Sequence, residues 1–136
     1  MIDTDLSSVF YCVRAAARHM IAQKSGAIVA MSSIWGSEGA SMESAYAAAK
    51  GGVEAFIKSA AKELAPCGVT ANCISPGVID TPMNAHFSDA EKAALCEEIP
   101  LGRFGTAEEV ADITAAVITN GYITGQVIGV NGGITM

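Results

Sequence analysis

The chain is 136 residues long, 51% hydrophobic and 16% charged, which fits one globular domain with a core and excludes intrinsic disorder. Its formal net charge of −6 excludes a broad basic surface for nucleic acid or anionic lipid. No apolar run reaches the roughly 18 residues of a membrane span, and Met1 to Asp5 lack the basic and apolar regions of a signal peptide; cysteines without a disulfide or metal pattern make the cytoplasm the default compartment.

From Leu6 to about Gln23, the residues Leu6, Val9, Phe10, Val13, Ala17 and Met20 recur at helical spacing, which predicts a helix with one buried face, ended by Gly26. Ala27–Met31 is a short apolar run with a β-branched centre, suited to a buried parallel strand, and a glycine- and serine-rich loop is expected from Ser32 to Ser41. An alanine-rich helix is predicted from about Glu43 to Leu64, closed by Pro66-Cys67-Gly68. Val69–Ile74 reads as a second strand, ended by Ser75-Pro76-Gly77. Ser88-Asp89-Ala90-Glu91 and Thr106-Ala107-Glu108-Glu109 have the capping-box pattern and predict helices at about Asp89–Glu98 and Ala107–Thr119. Gln126–Val130 is the last predicted strand, before Asn131-Gly132-Gly133. Strands separated by helix-length segments imply βαβ units, hence an α/β doubly wound parallel sheet over residues 1–136 as one domain. Such sheets bind ligands beyond the carboxyl ends of their strands, here in the loops after Met31 and Ile74.

The four cysteines, Cys12, Cys67, Cys73 and Cys96, form no C-x-x-C pair and have no metal-like spacing. Cys12, Cys73 and Cys96 lie within apolar patterns and are expected as reduced core thiols. His19 and His86 are far apart and have no carboxylate cluster beside them, so no metal site is expected.

Tyr46 and Lys50 are four residues apart on one predicted helix, so their side chains leave the same face about one turn apart. Ser33 lies thirteen residues before Tyr46, at a strand's carboxyl end. The fold can therefore gather a hydroxyl, a phenol and an ammonium in one cleft. Reducing a ketone by hydride transfer builds negative charge on oxygen, which calls for a proton donor and a stabilising hydrogen bond. A phenol ordinarily titrates near 10; a nearby ammonium and an oxidised nicotinamide ring both favour the phenolate. A serine can hydrogen-bond the carbonyl without competing for the proton. Taken alone, a tyrosine and a lysine at helical spacing more often mark a solvated surface; their surroundings decide here.

Ser32-Ser33, Tyr46-Ala47-Ala48-Ala49-Lys50 and Asn72-Cys73-Ile74-Ser75-Pro76-Gly77-Val78-Ile79-Asp80-Thr81 resemble, in order and spacing, the motifs of the short-chain dehydrogenase/reductase family. The tail Tyr122-Ile123-Thr124-Gly125-Gln126 and Val130-Asn131-Gly132-Gly133 is similar to that family's C-terminal signature. The resemblance covers nearly the whole chain and implies a Rossmann-like fold and an NADP or NAD cofactor, NADPH being slightly favoured. It implies that Tyr46 is the catalytic acid/base and also touches the cofactor, that Lys50 tunes this phenol and holds the nicotinamide ribose, and that Ser33 polarises the substrate carbonyl. The loop of Pro76, Gly77, Val78, Ile79 and Thr81 would contact the nicotinamide end of the cofactor, through the backbone near Val78 and Ile79 and the Thr81 hydroxyl. The plain alternative for Pro76-Gly77 is a simple turn. Asn72 is expected to brace the fold. Met83 to Glu98, including His86, matches the segment that covers the substrate, and His19 is expected on a helix surface. Family members commonly assemble as homotetramers through the two long helices.

The sequence departs from the family pattern in two places. No glycine-rich turn follows a first strand to hold the cofactor pyrophosphate: Gly51-Gly52 lies within the Tyr46 helix and Gly132-Gly133 at the end of the chain. The family's Asn-Asn-Ala-Gly turn is missing as well. At roughly 30 residues per βαβ unit, on the order of 100 residues are absent. Met1 is accordingly expected to be an internal methionine taken as a start, or the edge of a fragment. The residue that chooses NADH or NADPH follows the second strand of such folds and is missing too. Secondly, Asp5 stands where the family commonly has an asparagine that holds a water in a relay to the lysine. An ionised aspartate accepts hydrogen bonds but cannot donate one, which leaves a tolerated and an impaired relay equally open.

Leu6-Ser7-Ser8-Val9-Phe10, the Tyr46–Lys50 segment and Ile99-Pro100-Leu101-Gly102-Arg103-Phe104-Gly105 resemble the 3-oxoacyl-acyl-carrier-protein reductase group. This implies a small-molecule or carrier-bound carbonyl substrate. Ser32 to Gly36 and Gly39 to Glu43 also resemble a branch that reduces an aminopentanone group on elongation factor P, in which Trp35 and Glu43 would flank the entrance. A carboxylate there could attract a cationic amine, or Glu43 could simply cap the next helix. A third reading is a truncated, non-catalytic remnant.

Overall fold

The computed structural model of the protein describes residues 1–135. Three short apolar runs form its strands, β1 (Gly26–Met31), β2 (Val69–Pro76) and β3 (Val127–Val130). All pair in parallel, in the order β1-β2-β3, with Ile28 opposite Ala71 and Ala30 opposite Cys73. The central strand β2 is buried along most of its length, as a parallel strand covered on both faces must be.

Helices α1 (Ser8–Gln23) and α3 (Ser44–Leu64) lie against each other and against the sheet. Ile28 and Ala30 of β1, with Val69, Ala71 and Cys73 of β2, point into this layer and meet Val53 and Ile57 of α3. Because side chains alternate along a strand, Ala27 and Thr70 point the other way, toward Ile118 and Thr119 of α5 (Ala107–Thr119). Helices thus cover both faces of a parallel sheet, which is the predicted α/β doubly wound arrangement, carried here by three strands.

Local signals are realised closely. Ser88 and Thr106 each form a complete capping box with the glutamate three residues on, starting α4 (Asp89–Glu98) and α5. Asn72 braces the sheet: its Nδ2 donates to the Ile123 carbonyl at 2.8 Å and its Oδ1 accepts from the Gln126 N–H at 3.0 Å.

Other expectations are corrected. The first helix begins earlier than Leu6, because a π-helical turn, Asp3–Ser7, runs straight into α1. The expected loop from Ser32 to Ser41 contains a short helix, α2 (Ile34–Glu38), which Ser33 caps. Helix α3 starts at Ser44, and Glu43, just before it, makes no side-chain cap. Strand β2 continues to Pro76, which needs no donor at the end of its ladder with Val130, and β3 begins at Val127. Phe10 is 40% exposed at the border of the α1 stripe, its ring 5.3 Å from that of Phe56. Of the expected core thiols only Cys73 is buried; Cys96 is half-buried and Cys12 exposed. Cys12 is turned about 100° from Val13 around the helix, into a groove between α1 and β1. Strand β1 pairs on one side only among the described residues, so nothing described closes that groove.

Candidate active site

Strand β1 ends at Met31, and Ser32 and Ser33 carry the chain into α2. Ser33 is extended and buried, and its Oγ accepts the Trp35 N–H at 3.3 Å. This is an ordinary N-cap bond, with a chemical consequence. The cap uses a lone pair of the hydroxyl, so its proton remains available to an acceptor in front of it.

Tyr46 lies in the first turn of α3 and Lys50 one turn later, both half-buried. The Lys50 Nζ donates to the Met31 carbonyl at 3.0 Å. The same ammonium sits 5.6 Å from the centroid of the Tyr46 ring, within cation–π range. One cation therefore joins the carboxyl end of β1, two residues before Ser33, to the phenol on α3. The three predicted residues gather at the end of β1.

The predicted loop after β2 lies beside them in the sheet. Gly77 donates its N–H to the Val130 carbonyl at 3.0 Å, and a Cβ at this position would stand 2.9 Å from the Asn131 Cα, so β2 and the tail meet only across a glycine. Val78 and Ile79 use their carbonyls inside the protein, accepting from the Gly105 N–H at 3.0 Å and the Asn84 Nδ2 at 2.7 Å. Among the described residues neither of their own N–H groups donates to the protein. Thr81 precedes a 3-10 turn, Pro82–Asn84, without capping it through its hydroxyl. A cavity of about 500 Å³ under this loop touches Val78 but none of Ser33, Tyr46 and Lys50.

The remaining candidates fall around this centre. Trp35 is 37% exposed and Glu43 is exposed. Asp5 is half-buried within the π turn, which contacts α3. His19 is exposed on α1, and His86, also exposed, bonds through Nδ1 to the Met83 carbonyl at 2.8 Å. No group of three or more His, Cys, Asp or Glu side chains is gathered for a metal among the described residues.

Sequence reasoning missed one cluster. Glu54, on the Tyr46–Lys50 face of α3, is buried and accepts hydrogen bonds from Ser32 Oγ at 2.7 Å and Ser37 Oγ at 3.0 Å. Beside it, burial pushes the Cys73 thiol up to about 12, and the Glu54 charge adds to that effect. The available signal was the spacing Tyr46, Lys50, Glu54, which continues one helical stripe with a carboxylate where an apolar residue belongs.

Known proteins resemble the chain over nearly its whole length. Residues 1–135 match a family model described as enoyl-(acyl carrier protein) reductase. An uncharacterized oxidoreductase of Bacillus subtilis, YmfI, is 47% identical over 98% of this chain and 56% of its own length. The 3-oxoacyl-[acyl-carrier-protein] reductases FabG of Staphylococcus aureus and Escherichia coli are 43% and 40% identical over all of it and 56% and 57% of theirs. A crystal structure of 3-hydroxyacyl-CoA dehydrogenase type-2 from Mycobacterium avium superposes with a TM-score of 0.94 at 35% identity, covering 99% of this chain and 55% of that one. The chain thus spans about half the length of the curated relatives it matches. With its motifs, its parallel sheet and these relatives in agreement, the chain belongs to the short-chain dehydrogenase/reductase family of oxidoreductases.

Proposed function

We propose that this chain is the C-terminal, chemical part of a longer cytoplasmic NAD(P)-dependent carbonyl reductase. The carrying observation is the Lys50 ammonium, held by the Met31 carbonyl and set against the Tyr46 ring. In this reading Tyr46 hands its proton to the carbonyl oxygen as negative charge builds there. The Lys50 ammonium, 5.6 Å from the ring centroid, supplies a counter-charge to the oxyanion left behind. Ser33, its lone pair engaged by Trp35, donates its proton to the same oxygen and stabilises it.

The residues present fit the nicotinamide end of the cofactor. Among the described residues, Val78 and Ile79 have their carbonyls tied back and their N–H groups without a protein partner, and the Thr81 hydroxyl is not spent on a cap. Lys50 would hold the ribose, and Pro76 and Gly77 set the turn. When bound, the dinucleotide supplies the hydride. The pyrophosphate and adenosine would be held by the half of the relatives' length that this chain does not span.

The substrate that best fits the relatives is a 3-oxoacyl thioester on a carrier protein. A second reading, an amino-ketone on elongation factor P, draws on Glu43: it is exposed and makes no cap bond, so its carboxylate is open to a cationic substrate. Assembly as a homotetramer through α1 and α3 is supported by the aromatic surface of α1, where Phe10 and Tyr11 are 40% and 57% exposed. The test is to assay the full-length protein with NADPH and NADH against a short 3-oxoacyl thioester and an amino-ketone. Reduction of either substrate that is lost in Tyr46→Phe supports the reading; an active Tyr46→Phe removes Tyr46 from the chemistry.

A further inference from the structure

The turn that carries Ser33 is clasped from behind by a carboxylate. Glu54 is 5% exposed, between Val53 and Ile57 nearby on the helix, each 0% exposed. A carboxylate in such surroundings is costly unless hydrogen bonds satisfy it. It is satisfied: Ser32 Oγ donates to Oε1 at 2.7 Å and Ser37 Oγ to Oε2 at 3.0 Å. No buried side-chain polar atom lacks a partner among the described residues. The two donors bracket Ser33, one directly before it and one near the far end of α2. Ser32 Oγ also lies 3.3 Å from the Lys50 carbonyl.

The backbone is shaped to allow this grip. A Cβ at Gly36 would stand 2.8 Å from both Glu54 Oε1 and Ser32 Oγ, and one at Gly51 2.9 Å from the Gly36 carbonyl oxygen. The two glycines let α2 and α3 approach until the carboxylate reaches both serines. Tyr46, Lys50 and Glu54 follow one another at four-residue steps, so one face of α3 carries the phenol, the ammonium and the clasp.

We propose that Glu54 is a positioning residue: by holding Ser32 and Ser37 it fixes the turn between them and so aims the Ser33 hydroxyl at the carbonyl oxygen that Tyr46 protonates. This rests on the reductase reading above. A side chain that only filled the core would be replaceable by an apolar one of similar volume without effect on turnover.

The test compares Glu54→Leu, Glu54→Gln and Ser37→Ala in the full-length protein, by steady-state ketone reduction and thermal unfolding. Leucine fills the space and holds neither serine. Glutamine still accepts from Ser32, and the Ser37 hydroxyl can turn to accept from its amide. A misplacement of about 1 Å at a catalytic group costs on the order of 100-fold in rate. We expect a kcat loss of about that size in Glu54→Leu with the cofactor KM unchanged, and recovery of most of it in Glu54→Gln. Ser37→Ala, at an exposed residue, is expected to fold normally and lose part of kcat; it carries the test if Glu54→Leu does not fold. Wild-type kcat in folded Glu54→Leu or in Ser37→Ala overturns the positioning role, while the Tyr46→Phe control still stands. Absence of ketone reduction in the unmodified protein overturns both readings together.

Discussion

The Lys50 ammonium donates to the main-chain carbonyl of Met31 at 3.0 Å, which ties helix α3 to the end of strand β1 beside Ser33. Its position therefore belongs to the sheet as much as to its own helix. Lys50→Met keeps the aliphatic stem and removes the charge beside Tyr46. Turnover is predicted to fall by about 100-fold or more, in the range of general acid–base contributions. Steady-state kinetics on the full-length protein checks this, and a near-normal kcat would separate the ammonium from the chemistry.

Gly36→Ala should destabilise the fold. Its Cβ would meet Glu54 Oε1 and Ser32 Oγ at 2.8 Å and the Lys50 backbone at 3.0 Å, where backbone cannot give way cheaply. Overpacking of this kind costs about 1–3 kcal/mol. Urea unfolding that gives wild-type stability would show that α2 and α3 do not approach so closely.

Asn72→Leu separates bracing from ligand contact. Leucine leaves the Ile123 carbonyl and the Gln126 N–H without the partners they have now, at a cost of about 1–3 kcal/mol. Stability should fall while the KM for the nicotinamide cofactor stays the same. A raised cofactor KM with unchanged stability would put Asn72 in the binding site.

Glu109 accepts from both Arg103 and the Thr106 N–H, with Arg103 Nη2 at 2.6 Å. These bonds, led by that from Arg103, hold its carboxyl at about 2, below the ordinary 4.5. A depressed carboxyl pKa stabilises the fold above its unfolded value. The contribution is present above pH 4.5 and is lost as the pH falls toward 2. The melting-temperature gap between the protein and Glu109→Gln should follow that course, and shrink with salt because the pair is exposed. A gap independent of pH would mean that the charge is not responsible.

Spacing and local chemistry were readable in the sequence, whereas contacts between distant segments were not. The Tyr46–Lys50 interval needs only a helix to align two side chains, and Ser88 and Thr106 cap helices with a glutamate three residues away. Helix α2 was hidden in a glycine- and serine-rich stretch. It depends on the Ser33 cap and on Gly36 fitting against α3, and neither can be seen without that helix in place. Glu54 was missed for the same reason, since its donors lie 22 and 17 residues away. Phe10 and Cys12 show that periodicity locates a buried stripe but not its borders, which depend on what packs alongside.

The central claim is that Tyr46 supplies the proton in a carbonyl reduction. The most direct measurement is the reduction of a 3-oxoacyl thioester by the full-length protein and its Tyr46→Phe variant, with cofactor binding followed separately by fluorescence. The prediction is cofactor binding that persists and a rate lower by on the order of 100-fold or more. A Tyr46→Phe variant that binds the cofactor and reduces the substrate at the normal rate would contradict it.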